Sequence, residues 1–164
     1  MQRKILILLL LAIFVGLGFL MVQQGTAQET FPDTAESIKA AKARVDFHAK
    51  TPKTLPFRPS QSFGFTREVV PGVTGIDLEY VEKNAKDAAF IRVTTINSPI
   101  KLVSDAYPLT TITLPNGATA TFLDNGDAQI LTWTEGQMSY QIVAGRPQKP
   151  FTAQDLGTIA ANLE

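Results

Sequence analysis

His48 is the chain's one imidazole, and cysteine is absent. A Ser-His-Asp arrangement or a histidine-bearing metal site must therefore include His48, and a thiol nucleophile or a Cys-ligated zinc site is excluded. His48 stands beside a proline-rich stretch, and no Gly-x-Ser-x-Gly elbow occurs anywhere, so it reads as a solvated or capping side chain. Asp124-Asn125-Gly126-Asp127 offers the oxygen ligands calcium favours, but without EF-hand spacing or the later bidentate Glu. A hairpin turn accounts for it. Asp77 and Glu79 alternate on one strand, the pattern of a carboxylate pair for acid/base work. With no companion cleft in view they read as solvated. Trp133 and Tyr140 have faces that can stack on a sugar or a ligand ring, but their side of the chain is the one a packed core needs. No catalytic, cofactor-binding or metal-ligating residue is assigned, and no cofactor is expected. The candidate apolar face, as core or as ligand surface, is Phe122, Leu131, Trp133, Met138, Tyr140 and Ile142.

The elements that position these residues belong to a chain of 164 residues with 15 Lys+Arg, 15 Asp+Glu and 45% hydrophobic residues. That length supports one globular domain. Balanced charge removes the basic field with which nucleic-acid binders neutralise phosphates, so no nucleic-acid partner is expected.

The first 27 residues read as an export segment. Arg3 and Lys4 precede Ile5 to Val22, a run of 18 residues with no charge. As a helix it spans about 27 Å, close to the hydrocarbon thickness of a bilayer. The cations hold its start in the cytoplasm, which places the rest outside. Gly25-Thr26-Ala27 puts small residues at the −3 and −1 positions of a cleavage after Ala27, so a signal peptide and a retained membrane anchor both fit. Cleavage would leave 13 basic and 15 acidic residues, since Arg3 and Lys4 go with the leader, for a net charge of −2.

Residues 28 to 60 read as spacer, short peripheral helix and proline-rich connector. Asp33 with Glu36 is a capping pair for a helix carrying Ala35, Ile38, Ala41 and Val45 on one thin stripe. Pro52, Pro56 and Pro59 then enforce an extended connection across the domain surface.

Residues 61 to 164 read as an antiparallel sheet and a terminal helix, an α+β fold. Strands are expected from about Ser62 to Val70, through Ile76, Leu78 and Tyr80 with Asp77 and Glu79 on the other face, and from Ala89 to Thr95, followed by irregular chain from Asn97 to Pro108. A four-stranded meander runs from Leu109 to Ala144. A two-residue loop at Glu135-Gly136 sets Trp133 against Met138 and Leu131 against Tyr140. The same rule at Asn125-Gly126 sets Ala120 against Leu131 and Ala118 against Trp133. At Pro115-Asn116-Gly117 a three-residue loop, with Gly117 left-handed, keeps Ile112 and Leu114 beside Ala118, Ala120 and Phe122. One face is then apolar, from Ile112 and Leu114 through Ile142. The other, with Thr111, Thr113, Thr119, Thr121, Thr132, Ser139 and Gln141, is expected to be wet. Thr152 and Asp155 form a capping box, Phe151 and Leu156 a hydrophobic staple, and Leu156, Ile159, Ala160 and Leu163 a stripe that covers the apolar face.

Over about residues 45 to 164 the chain resembles the bacterial DUF4367 domain family. The resemblance rests on Thr51-Pro52-Lys53-Thr54-Leu55-Pro56, on the run from Leu131 to Tyr140 that holds Trp133, Gly136 and Tyr140, and on the ending from Phe151 to Leu163. It implies an extracytoplasmic module behind a membrane segment, without catalytic residues. Proteins similar to this one are sometimes associated with anti-sigma or sporulation proteins, but here the family's usual Gly after Leu-Pro is replaced by Phe57-Arg58 and no anti-sigma part is read before the membrane segment, so a sigma-factor partner is not expected. The expected function is a non-enzymatic interaction module of the cell envelope that binds another envelope protein through its sheet edge or its Thr-rich face. The alternative is a carrier of lipid or acyl chains, similar to lipoprotein carriers, with the apolar face only partly covered. An enzyme built on His48 and carboxylates comes third.

Overall fold

The computed structural model describes residues 35–83 and 88–164. The expected membrane segment Ile5 to Val22, the cleavage after Ala27, the Asp33 cap and residues 84–87 lie outside them. Among the described residues no helix is long and apolar enough to cross a membrane.

The elements in chain order are α1 (Ile38–Lys42), β1 (Gln61–Val70), β2 (Val73–Glu82), β3 (Ala89–Ile96), β4 (Leu109–Thr113), β5 (Thr119–Asp124), β6 (Gln129–Glu135), β7 (Met138–Gly145) and α2 (Ala153–Ala161). The strands form one antiparallel sheet in the order β1-β2-β3-β7-β6-β5-β4. The chain leaves β3 by the irregular segment 97–108, enters the sheet again at its far edge, and meanders back until β7 pairs with β3. The sheet is open, with β1 and β4 as its edges.

The first helix is shorter than its apolar stripe suggests. It spans five residues and is capped by Ser37, whose hydroxyl accepts from the Ala40 N–H. Glu36 does not cap it. Glu36 instead exchanges backbone hydrogen bonds with Gly64 on β1, at 2.9 and 2.8 Å. The buried Ala41 explains why: a Cβ on Gly64 would lie 2.7 Å from the Ala41 Cβ, so only glycine lets the helix approach the strand this closely.

The three meander turns show what glycine placement decides. The Pro115-Asn116-Gly117 loop has three residues, with Gly117 at φ 85°, Leu114 donating to the Ala118 carbonyl and Ile112 opposite Ala120, as its sequence predicts. The other two hairpins are displaced by one residue in each strand. Trp133 pairs with Tyr140 and Leu131 with Ile142, so the loop is Gly136-Gln137 rather than Glu135-Gly136. Ala120 pairs with Trp133 and Phe122 with Leu131, so Gly126-Asp127 lies between Asn125 and Ala128. In both, glycine takes the first central position at positive φ, 59° at Gly136 and 89° at Gly126, where a side chain would be strained. A shift of one residue in both strands changes partners but keeps every side chain on its face.

The apolar face is therefore as expected. Leu131, Trp133, Tyr140 and Ile142 are buried, and they share one core with Ile76, Leu78, Ile91, Val93 and the α2 residues Leu156, Ile159 and Ala160. Leu163 packs against the same core. Thr152 caps α2 with Asp155 in a reciprocal capping box, and Phe151 and Leu156 are both buried. The proline-rich connector contributes more than a surface crossing. Phe47, Leu55 and Phe57 pack on the core, as does Val45 before them, and Thr51 and Lys53 hydrogen-bond to Glu164 and Asn162 beyond α2.

Gly157 faces this core without needing to be glycine. A Cβ there would meet the Ile112 and Leu114 methyls at 3.8 Å, ordinary contact. Gly157→Ala is expected to stabilise the fold by about 1 kcal/mol through helix propensity. The check is a rise in denaturant midpoint with unchanged slope.

The opposite face corrects the expectation of a sheet wet on one side. Thr132, Ser139 and Gln141 are buried, as are Asp77 and Glu79; of the residues expected to be wet, Thr111, Thr113 and Thr119 are exposed and Thr121 is half-buried. Two features close this face. Phe63, Val81, Val143, Ile130 and Leu123 project from it and are themselves buried. The segment 97–108 crosses it as well, with the Ile100 N–H donating to the Ser139 hydroxyl at 2.7 Å and Leu102 buried.

Candidate functional site

The six residues of the candidate apolar face lie together, with Leu131, Trp133, Tyr140 and Ile142 in the core and Phe122 and Met138 half-buried against it. At its margin the Trp133 and Tyr140 rings stack at 5.4 Å. Lys50 from the connector lies 4.6 Å over the Tyr140 ring and donates to Glu135 at 2.6 Å. Glu135 also accepts from the Trp133 indole N–H at 3.0 Å and from the Asn116 amide at 3.2 Å. This network binds connector, β6 and the β4–β5 turn to one carboxylate. Gln129 does the same further along, its side chain accepting from the Phe151 N–H and donating to Asp124. These contacts fasten the faces of a packed core and leave no ring face of Trp133 or Tyr140 as an evident platform.

The ionisable groups here predict a pH profile. Partial burial acts to raise the Glu135 carboxyl, but bonds from Lys50, Trp133 and Asn116 outweigh it and hold it below the ordinary range. The Thr152 backbone and hydroxyl bonds lower Asp155 likewise. Both carboxyls are depressed in the folded state. Their contribution is present above the unfolded value of about 4 and is lost as pH falls through the folded values. Denaturant midpoints measured from pH 6 downward should fall, and Glu135→Gln should flatten that fall. At the alkaline end burial pushes Tyr80 up to about 12, so folding opposes its ionisation and stability should decline above the ordinary value of about 10.

On the opposite face, Asp77 and Glu79 stand among partners the sequence reading did not assign. Asp77 pairs with Arg67 at 2.6 Å and accepts from the Thr94 hydroxyl, while Glu79 pairs with Arg92. Both carboxylates are engaged by guanidinium groups rather than facing one another as an acid/base pair. The alternation of Arg92 with Ile91 and Val93 held the available signal, since it puts Arg92 on the face opposite the core where Glu79 also lies. His48 is exposed. The 124–127 turn is held by its own side chains, Asp124 accepting from the Gly126 N–H and Asn125 from Asp127 and Ala128. Among the described residues no three His, Asp or Glu side chains gather to hold a metal.

The two sheet edges differ. β1 is protected: it bonds to Glu36, carries Arg67 and Glu68, and has a register irregularity between Glu68 and Val70. Such devices stop a sheet from pairing further. β4 has none of them. Its five residues, Leu-Thr-Thr-Ile-Thr, carry no charge, and its burial pattern is exposed except at Ile112. Leu114 donates to Ala118 across the turn, so by antiparallel alternation Ile112 and Thr110 direct their backbone groups toward β5, and Leu109, Thr111 and Thr113 direct theirs outward. No described strand pairs with that outer side. Leading into it, Val103, Tyr107 and Leu109 are exposed large hydrophobics at 40, 43 and 40%. The sequence points to a sheet edge as an interface without identifying the strand, because a period-two pattern marks a strand without saying whether it has one neighbour or two. The uncharged run between Pro108 and Pro115 was the signal available.

No protein-family model matches this chain, and no curated protein or solved structure matches it.

Proposed function

We propose that the protein is a non-enzymatic interaction module of the cell envelope, as its DUF4367-like sequence suggests, and that it binds an envelope protein by receiving an extended segment along the open edge of β4. The segment Ile5 to Val22 would hold it at the membrane, or cleavage after Ala27 would release it, with residues 35 onward outside the cytoplasm in either case. The observation that carries this reading is the contrast between a guarded edge at β1 and an uncharged edge at β4 whose outward N–H and C=O groups are aligned for another strand. Strand addition draws affinity from those main-chain groups and selectivity from flanking side chains, here Leu109, Tyr107 and Val103. The lipid-carrier reading is weaker, because α2 and the connector already occupy the apolar face, where Leu131, Ile142 and Leu156 have no exposure.

The test is a photo-reactive phenylalanine analogue in place of Thr111 in the full chain in cells, with Thr158 on the exposed side of α2 as the control position. Protein adducts are expected from position 111 and not from 158. Phospholipid adducts at 111, or none, would sink the reading.

A further inference from the structure

We infer that the strand received at this edge is β4 of a second copy of the chain, so that two sheets of seven strands join into one across a two-fold axis at Thr111; this rests on the edge being the docking site proposed above.

Charge points to a copy. From Ala106 to Leu123 the chain has no ionisable group except the phenol of Tyr107, so two such edges approach without like-charge repulsion, and a charged foreign strand would find nothing to match. Register points the same way. Residues that pair in an antiparallel ladder must both direct their backbone groups inward, which restricts self-pairing to Leu109, Thr111 and Thr113 meeting the same three residues of the copy. Centring the axis on Thr111 uses all of them: Thr111 meets Thr111, and Leu109 meets Thr113 at both ends. Each of these pairs exchanges two backbone hydrogen bonds. The half-buried Ile112 then falls opposite Thr110, and the exposed Tyr107 falls beside Pro115, which ends the ladder because proline has no N–H to donate.

The side chains continue an existing pattern. Asp77, Thr94, Gln141, Thr132, Thr121 and Thr111 are successive partners across β2, β3, β7, β6, β5 and β4. The two-fold extends this row with Thr111, Thr121 and Thr132 of the copy, and threonine neighbours across strands are a favourable pairing.

The natural absence of cysteine makes the test specific. Thr111→Cys in the full chain, oxidised in isolated membranes or in the secreted fraction, is expected to give a disulfide-linked dimer, since residues of a hydrogen-bonded antiparallel pair have Cα atoms about 5.5 Å apart, within disulfide reach. Leu109→Cys and Thr113→Cys should each fail to link to themselves, because each then lies about 13 Å from its own copy along the ladder, yet should link to one another when co-expressed. Thr119→Cys, exposed on β5, should stay monomeric. Adding Thr111→Lys to the Leu109→Cys and Thr113→Cys pair should abolish their link by setting like charges opposite one another.

Failure of Thr111→Cys to dimerise while its thiol remains open to maleimide would overturn self-pairing, as would equal linking by Thr119→Cys. The photo-reactive group at position 111 separates this from the wider reading. An adduct with a different protein keeps the edge as docking site and removes the copy as its occupant; an adduct with the chain itself supports both; no protein adduct removes both.

Discussion

Glu79→Leu is expected to lower the unfolding free energy by about 3–5 kcal/mol, the cost typical of breaking a buried ion pair from one side. Glu79 and Arg92 are both nearly without exposure, and Glu79 is the partner that holds the Arg92 guanidinium. Guanidinium cannot shed its proton within the working pH range, so with the carboxylate removed its charge stays on, buried and uncompensated. Glu79→Leu/Arg92→Leu should recover most of the loss, because burying a well-formed pair contributes little net stability over an apolar pair of similar volume. Urea unfolding of the two single variants and the double variant forms a complete cycle. A double variant no more stable than the sum of the singles would show that the pair's coupling is negligible, and that the face is held by its surrounding apolar side chains.

Trp133→Ala is expected to cost about 3–5 kcal/mol, the range for deleting a large buried aromatic. The indole is 3% exposed, stacks on Tyr140, and donates to Glu135. Its removal opens a cavity under α2 and loosens the carboxylate that also holds Lys50 and Asn116. Trp133→Phe separates the contributions: it retains much of the apolar area and the ring contact but removes the N–H, so its cost should be nearer 1 kcal/mol, the net value of a single hydrogen bond. If both replacements cost the same, the indole N–H rather than packing would be the main contribution at this position.

Much of the architecture is legible in the order of the residues. The strands from Gln61 to Gly145 were visible because alternation of apolar and polar residues has the same period as the pleat. The cap of α2 was visible because Thr152 and Asp155 satisfy free N–H groups through contacts three residues apart. Partners at longer range were less accessible. Asp77 and Glu79 looked solvated because a single strand does not reveal which residues its neighbours bring. The β3 residues Thr94 and Arg92, together with Arg67 on β1, turn the same carboxylates into a buried network. The same limit applied to the hairpins: Asn-Gly and Glu-Gly located the turns, but the positive φ of Gly126 and Gly136 set the loop one residue later than the dipeptide suggested.

Hydrophobic periodicity and helix capping are local, so the order of residues alone specifies an α+β chain with one apolar sheet face and a capped helix to cover it. Only the assembled sheet buries the other face across β2, β3, β7 and β6, gives Asp77 and Glu79 their arginine partners, and leaves β4 without a described neighbour on its outer side. Those outcomes depend on strand order, and strand order is set by which distant segments bury one another, a quantity no local pattern encodes.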